Sequence, residues 1–189
     1  PGGQQGFSLL IIISAEFTPL QLGFGFTLNG VGGLLGLNRT VNIERLRDGI
    51  RGSTLNSIMF PQDPIANANR IISDVREVFP PQGDRFIFGP FVRFGWGVPT
   101  LITLDMGLII EVPDPVRIAI IGVLKMILPE ESAPLVHLQV NFLGVIDFQA
   151  GELSFDASLY NSRILTMTIS GDMAVRLRWG NDPTFILSV

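Results

Sequence analysis

Between Leu101 and Leu128 the chain runs as two arms in which apolar and polar side chains alternate. In the first arm Ile102, Leu104, Met106, Leu108, Ile110 and Val112 alternate with positions that include Thr103, Asp105, Gly107 and Glu111. In the second, Val116, Ile118, Ile120, Leu124, Met126 and Leu128 keep even positions, and Arg117 and Lys125 fall between them. A period of two marks a strand with one buried face, because successive side chains point to opposite sides. Pro113-Asp114-Pro115 separates the arms. Prolines are poor strand-interior residues and good turn residues, so the two arms form a hairpin. The same rhythm predicts strands at about 85–96, 100–112, 116–128, 135–148, 152–160, 163–170, 172–179 and 184–189.

Register tests this meander, since a one-residue slip turns a strand inside out. A turn at Gly97-Val98-Pro99 sets Phe94 opposite Ile102, Val92 opposite Leu104 and Phe88 opposite Leu108. The Pro113–Pro115 turn sets Ile110 opposite Ile118, Leu108 opposite Ile120 and Leu104 opposite Leu124. Ala150-Gly151 sets Phe148 opposite Leu153, Ile146 opposite Phe155 and Phe142 opposite Leu159. Ser170-Gly171-Asp172 sets Ile169 opposite Met173, Met167 opposite Val175 and Leu165 opposite Leu177, and a turn at Asn161–Arg163 keeps the same parity. On the other face this register lines up Arg85, Glu111, Arg117 and Asp147 as a row of alternating charges. That face is also partly apolar, with Ile109, Ala119, Ile121, Val123, Leu143 and Val145 on it. Cover on both sides of the middle of the sheet, or continuation against further parts of a larger protein, is therefore a further expectation.

Upstream, Phe7–Phe17 and Leu20–Leu28 alternate in the same way and predict two strands joined near Thr18-Pro19. Gly30-Val31-Gly32-Gly33-Leu34-Leu35-Gly36 reads as a tight glycine-rich loop. It misses the dinucleotide-binding fingerprint by one residue and lacks a surrounding βαβ unit. Asn38-Arg39-Thr40 is a glycosylation sequon, relevant only in a secreted eukaryotic protein. Asn42 predicts the cap of a short helix with Ile43, Leu46 and Ile50 on its apolar side. Asp63-Pro64 predicts the start of a second helix running to about Val78, its Ile65, Ile72 and Val75 side packed on the sheet, with Pro80-Pro81 ending it.

Composition changes the picture in one respect. With 47% hydrophobic and 16% charged residues, and a mean hydropathy of +0.42, much apolar surface must be hidden. A net charge of −4 argues against a nucleic-acid partner. The absence of cysteine excludes disulfides, thiolate metal sites and thiol catalysis. The longest apolar run, Leu9–Ile13, is too short for a membrane helix. Tyrosine and tryptophan are too scarce, beside 14 Phe, for the aromatic girdles of an outer-membrane barrel. The Pro-Gly-Gly opening and a final strand still in progress suggest a piece of a longer or processed polypeptide.

Candidate chemistry is thin. His137 is the lone histidine and reads as structural or solvated, with no nucleophile elbow beside it. Asp105 and Glu111 share a face but lie roughly 20 Å apart along a strand, too far for a catalytic pair. Glu130-Glu131 offers too few oxygens for calcium. Asp147 and Asp156, if they meet diagonally, are the best carboxylate pair available. No catalytic, cofactor-binding or metal residue is assigned. The ligand or packing face is assigned to Phe88, Val92, Phe94, Leu104, Leu108, Ile120, Phe142 and Phe155.

The segments Leu28–Arg39, Phe60-Pro61-Gln62-Asp63-Pro64 and Phe86-Ile87-Phe88-Gly89-Pro90 carry a resemblance, as do Arg93-Phe94-Gly95-Trp96-Gly97 and Arg178-Trp179-Gly180. With them the whole chain resembles a domain family of unknown function found in very large, β-rich, mainly bacterial proteins. The resemblance implies no activity, cofactor or site residue.

The expected fold is mainly β (α+β): a long antiparallel meander, curled or barrel-like, with a helical insertion packed on its apolar face. It is expected to form one domain over 1–189, comprising a hairpin (1–30), a glycine-rich loop and helices (31–84) and the meander (85–189). The expected function is that of a non-catalytic structural or assembly module without cofactor. Its sheet would be continued by the rest of a larger polypeptide or by like subunits at the edges, in an extracellular or cell-surface setting. The alternative is a carrier holding lipid or another apolar ligand in a trough of the sheet. A hydrolase built on the Asp147 and Asp156 region is the third.

Overall fold

The computed structural model describes residues 6–189 except Pro115, Glu130 and Ser132. The chain forms an open antiparallel sheet with a helical layer on one side. Strands β1 (Leu9–Gly23) and β2 (Phe26–Arg39) come first, then helices α1 (Ile43–Gly49), α2 (Thr54–Met59) and α3 (Ala68–Val78). The meander follows as β3 (Pro81–Trp96), β4 (Ile102–Val112), β5 (Arg117–Leu128), β6 (Val136–Asp147) and β7 (Glu152–Leu159). Short strands β8 (Ser162–Ile164) and β9 (Met167–Ile169) precede β10 (Asp172–Arg178) and β11 (Thr184–Ser188). Spatial order is β1-β2-β3-β4-β5-β6-β7-β10-β11, and the sheet does not close.

The predicted hairpin holds residue for residue: Ile110 pairs with Ile118, Leu108 with Ile120 and Leu104 with Leu124. Two other turns keep the faces but shift the pairing by two. Phe94 faces Leu104 rather than Ile102, because the connection runs from Gly97 to Leu101 and Trp96 takes Ile102. Leu153 faces Ile146 rather than Phe148, because residues 148–151 all belong to the turn. Alternation fixes the parity of a register, and a two-residue shift leaves parity unchanged.

The stretch 160–171 departs further from expectation. No turn forms at Asn161–Arg163 or at Ser170–Asp172. Instead β7 and β8 follow one another along β6, with Val140 opposite Leu159 and Val136 opposite Ile164. The one-residue offset between those pairs is taken up near Asn161, whose φ is +47°. The reversal is a two-residue turn at Leu165-Thr166, where Ile164 faces Met167. The return arm passes an irregularity at Ser170-Gly171 and pairs with β7, so Val175 faces Phe155 and Leu177 faces Leu153. The expected Met167–Val175 and Leu165–Leu177 neighbours are therefore not formed.

The N-terminal hairpin is also redrawn. β1 continues through Thr18-Pro19 with a bulge between Glu16 and Leu20, and the reversal is at Gly23-Phe24-Gly25, all at positive φ. The glycine-rich stretch is strand β2 and not a loop. Its glycines stand where neighbours press on the backbone: a Cβ on Gly30 would sit 3.1 Å from the Phe60 ring, and one on Gly36 would meet the Ile87 side chain.

The helices lie on the face carrying the odd-numbered residues of β3–β6. Its apolar centre, Ile87, Phe91, Ile109, Ala119, Ile121, Val123, Leu143 and Val145, is buried. Against it pack Leu46, Ile50, Leu55, Ile58, Met59, Phe60, Val78 and Phe79. Each large side chain so buried contributes about 1.5–3 kcal/mol. Asn42 caps α1 as expected, accepting a 3.1 Å hydrogen bond from the Arg45 N–H. α2 is the helix that touches β1, β4 and β5, and α3 packs on α2. The expected packing of α3 on the sheet through Ile65, Ile72 and Val75 is not found. Ile65 is 89% exposed, Ile72 is 49% exposed, and only Val75 reaches the core. Nor does Asp63 cap α3, which begins at Ala68; it caps the preceding turn, accepting from the Ala66 N–H at 3.3 Å.

A buried amide fastens the helical layer to the sheet. Asn141 on β6 donates to the carbonyls of Ile50 (2.8 Å) and Gly52 (2.9 Å), and its oxygen accepts from Gln139 at 2.8 Å. Asn141→Ala would strand these buried partners. The expected loss is about 2 kcal/mol in denaturant titration, and a loss under half of that would show that apolar packing alone holds α1 and α2.

Candidate functional site

Parity sorts every strand of the sheet into two unlike faces. On the helix-covered face sit the charges. Arg93 on β3 lies opposite Asp105 on β4 and grips it with two hydrogen bonds of 2.6 and 2.7 Å, while its guanidinium lies 4.6 Å from the centre of the Phe60 ring. The predicted charge row exists, but underneath the helical layer. Glu111 is 1% exposed, lies 3.2 Å from Arg85 and 3.3 Å from Arg117, and also accepts from the Thr40 hydroxyl. Arg117 continues to Asp147 at 3.6 Å. Asp156 on β7 bridges Arg47 of α1 (3.0 Å) and Arg176 of β10 (2.7 Å).

These pairings remove the carboxylates from candidate chemistry. Asp156 stands opposite Leu143, four residues along β6 from Asp147, so the two do not meet. Each is committed to an arginine, as are Asp105 and Glu111. Glu130 lies outside the described residues, and no cluster of three or more metal-ligating side chains occurs among the described ones. The sequon residue Asn38 is engaged structurally, donating to the Phe7 carbonyl and accepting from the Asp84 N–H. His137 lies on the covered side, opposite Ile127 and Arg163, with its Nε2 buried and unpartnered. Desolvation, reinforced by Arg163 and Lys125, lowers its pKa below the ordinary 6.5. Lys125 is likewise lowered by burial, against the opposing pull of Asp105.

The other face has no helical cover. Phe88, Val92, Phe94, Leu104, Leu108, Ile120, Phe142 and Phe155 all lie on it, and the ladder places them across five adjacent strands. The face extends further than those eight residues. It begins with Leu9, Ile11 and Ile13 on β1 and ends with Val175 and Leu177 on β10 and Phe185 and Leu187 on β11. Along the paired ladder from β2 to β11, with Phe86 at one end of β3 and Trp96 at the other, its side chains are apolar, and the polar Gln82 and Asp84 come only at the exposed start of β3. Within that ladder the indole N–H of Trp96 is the polar group, and it donates to the Phe24 carbonyl at 3.1 Å. Many of these side chains remain open, including Phe88 at 43% and Ile120 at 40% exposed.

The relief of the face is low at its centre. Gly122 on β5 faces Phe142 on β6, and the ring lies in the space that a Cβ at Gly122 would occupy. Phe155 lies 3.6 Å from the Cβ position of Gly144, and the Phe142 and Phe155 rings stack with centroids 6.1 Å apart. Towards one end is a depression of about 400 Å³ lined by Leu22, Phe26, Phe94, Gly95, Trp96, Ile102, Leu104 and Leu124. Phe94 and Leu104 belong to the face as read from the sequence. Leu124 joins them through the β4–β5 register, Trp96 and Ile102 pair with each other across the shifted β3–β4 turn, and Leu22 and Phe26 come from β1 and β2. The same shift brings Arg93 opposite Asp105, a pair that the expected register keeps apart.

Residues 2–189 match a family model described as Family of unknown function (DUF6603), and the chain belongs to that family. No curated protein and no solved structure matches it. No helix among the described residues is long and apolar enough to cross a membrane.

His137 generates a test in pH. Its lowered folded-state pKa means that the unfolded chain binds the proton more tightly. The neutral imidazole's contribution to stability is complete above about pH 6.5 and is lost as pH falls through the lowered folded value. The urea midpoint is expected to drop between pH 7.5 and 5.5, and His137→Gln is expected to flatten that part of the profile. An unchanged slope in the variant would assign the effect to other groups.

Proposed function

We propose, from the premise that the chain belongs to this family of unknown function, that it is a non-catalytic structural module. Its sheet is continued by neighbouring segments of a very large, β-rich, mainly bacterial protein, or by like subunits. The observation that carries this reading is the inequality of the two sheet edges. β1 is a blunted edge, since Pro19 and the bulge between Glu16 and Leu20 interrupt its outward row of N–H and C=O groups. β11 has no such protection. All of Thr184–Ser188 is exposed, and the strand contains no charge and no proline. Such a strand is a template for another chain, through unpaired backbone groups beside an apolar stripe of Phe185 and Leu187.

A second reading, a carrier of lipid or another apolar ligand, is favoured by the apolar depression beside Trp96. Its volume lies within the range of small-ligand sites, and its lining requires nothing polar of an occupant. Solvent extraction of the purified protein followed by mass spectrometry tests it; a bound lipid at near one per chain would favour the carrier.

For the leading reading, light scattering of the purified chain is expected to show association that Ile186→Lys diminishes. A lysine on the free edge makes strand addition costly without touching the core. An identical particle mass in the wild type and the variant would remove sheet continuation through β11.

A further inference from the structure

We infer that the uncovered sheet face is closed by the same face of a second copy of this chain. The two sheets stack face to face about a two-fold axis near Ile120. This goes beyond continuation of the sheet at its edge, because it concerns the broad face and holds whether or not β11 is extended.

The extent of the face supports a copy as its occupant. Nine strands at about 4.8 Å spacing span about 40 Å, and the eleven residues of β4 span about 35 Å. The strands shorten towards β11, so the footprint is on the order of 1,000 Å² for each copy. A stable protein interface needs about 800 Å² from each partner. A single acyl chain in the 400 Å³ depression would occupy one end and leave the remainder wet. It would also be covered from one side only, whereas ligand sites enclose about 70–90% of their occupant.

The chemistry of the face supports self-association in particular. In a two-fold interface each patch meets its own counterpart, so a charge near the axis would confront itself. Around Ile120 this face presents none, since its neighbours there are Leu108, Ile118, Gly122, Phe142 and Gly144, and the Trp96 indole N–H further along already has a partner within the chain. Nothing polar is left unpaired by dry stacking, the usual obstacle to burying a surface. The middle is also low enough for close approach. The Phe142 ring fills the space above Gly122, next to the axis, which suits the spacing of about 10 Å between packed sheets. Ile120 is on β5, the middle strand of the path, and is 40% exposed.

The test is made in the Ile186→Lys background, so that edge association and face association are read separately. There the chain is expected to sediment as a dimer free of extractable lipid. Ile120→Glu should raise the dimer dissociation constant about a hundredfold or more, because it buries a charge against its own copy. The chain has no cysteine, so Ile120→Cys supplies a unique thiol and a milder probe should the glutamate variant fail to fold. A thiol-to-thiol cross-linker reaching about 10 Å should join Ile120→Cys chains in pairs and leave Val98→Cys chains, tagged at the exposed β3–β4 turn, unjoined. Three results would overturn the inference: a monomer in the Ile186→Lys background, a dimer indifferent to Ile120→Glu with no cross-linking at position 120, or a monomer carrying lipid. Loss of association with Ile186→Lys alone would leave continuation at the edge standing and remove the face-to-face dimer. A dimer that persists there, unchanged in mass from the wild type, would do the reverse.

Discussion

Parity is the constraint on which this structure depends. From β1 to β11 each turn and irregularity returns the chain with its apolar stripe on the same side of the sheet. The two-residue turn at Leu165-Thr166, the four-residue turn at 148–151 and the offset near Asn161 differ in form, and none of them exchanges the faces. An exchange anywhere would bring Glu111 or Asp156 to the face with no partners, and a bare carboxylate among apolar side chains costs several kcal/mol. The charged residues thus enforce the parity that the apolar ones announce.

The helical layer is built to suit the charged face. Its apolar residues, Leu55, Ile58 and Met59 from α2 with Phe60 after it, fill the middle of the sheet, and its polar groups meet the charges around them. Arg47 reaches Asp156, Thr40 reaches Glu111, and Phe60 lies under the Arg93 guanidinium. Buried ion pairs of this kind add little net stability compared with apolar residues of equal volume, but breaking one is costly because an uncompensated charge remains. Their effect is selective. They specify which face the helices cover and in what position, and Asn141 fixes the α1–α2 connection to β6 in the same way.

The opposite face has the reverse character. With no polar group near its centre seeking a partner, it is matched by an apolar surface of like extent, and its own counterpart in a second copy is such a surface. Low relief adds to this, since aromatic rings lie over glycines in place of standing out from the sheet. A face of this extent, left in water, gives up the hydrophobic free energy that its cover would recover. The high mean hydropathy of the chain has its physical location here.

The amino-acid sequence by itself determined the strands of the meander other than β8 and β9, the sorting of Phe88, Leu104, Ile120 and Phe142 onto one face, the hairpin register between β4 and β5, and the Asn42 cap. These are local matters of alternation, proline placement and capping, legible at short range. Only the tertiary structure decided that the helices cover the face bearing Asp105 and Glu111 and leave the purely apolar one open. Alternation shows that two faces differ; which one an insertion covers depends on side chains far apart in the chain, such as Arg47 and Asp156. The turns followed the same division. A pattern of period two cannot separate registers two residues apart, so Phe94 and Leu104 were found together only in three dimensions. Nor can it separate a turn from a bulge of equal parity, which hid the long excursion through β8 and β9. The glycines of β2 read as a loop for a related reason: the Phe60 ring and the Ile87 side chain that require their small size arrive from elsewhere in the chain.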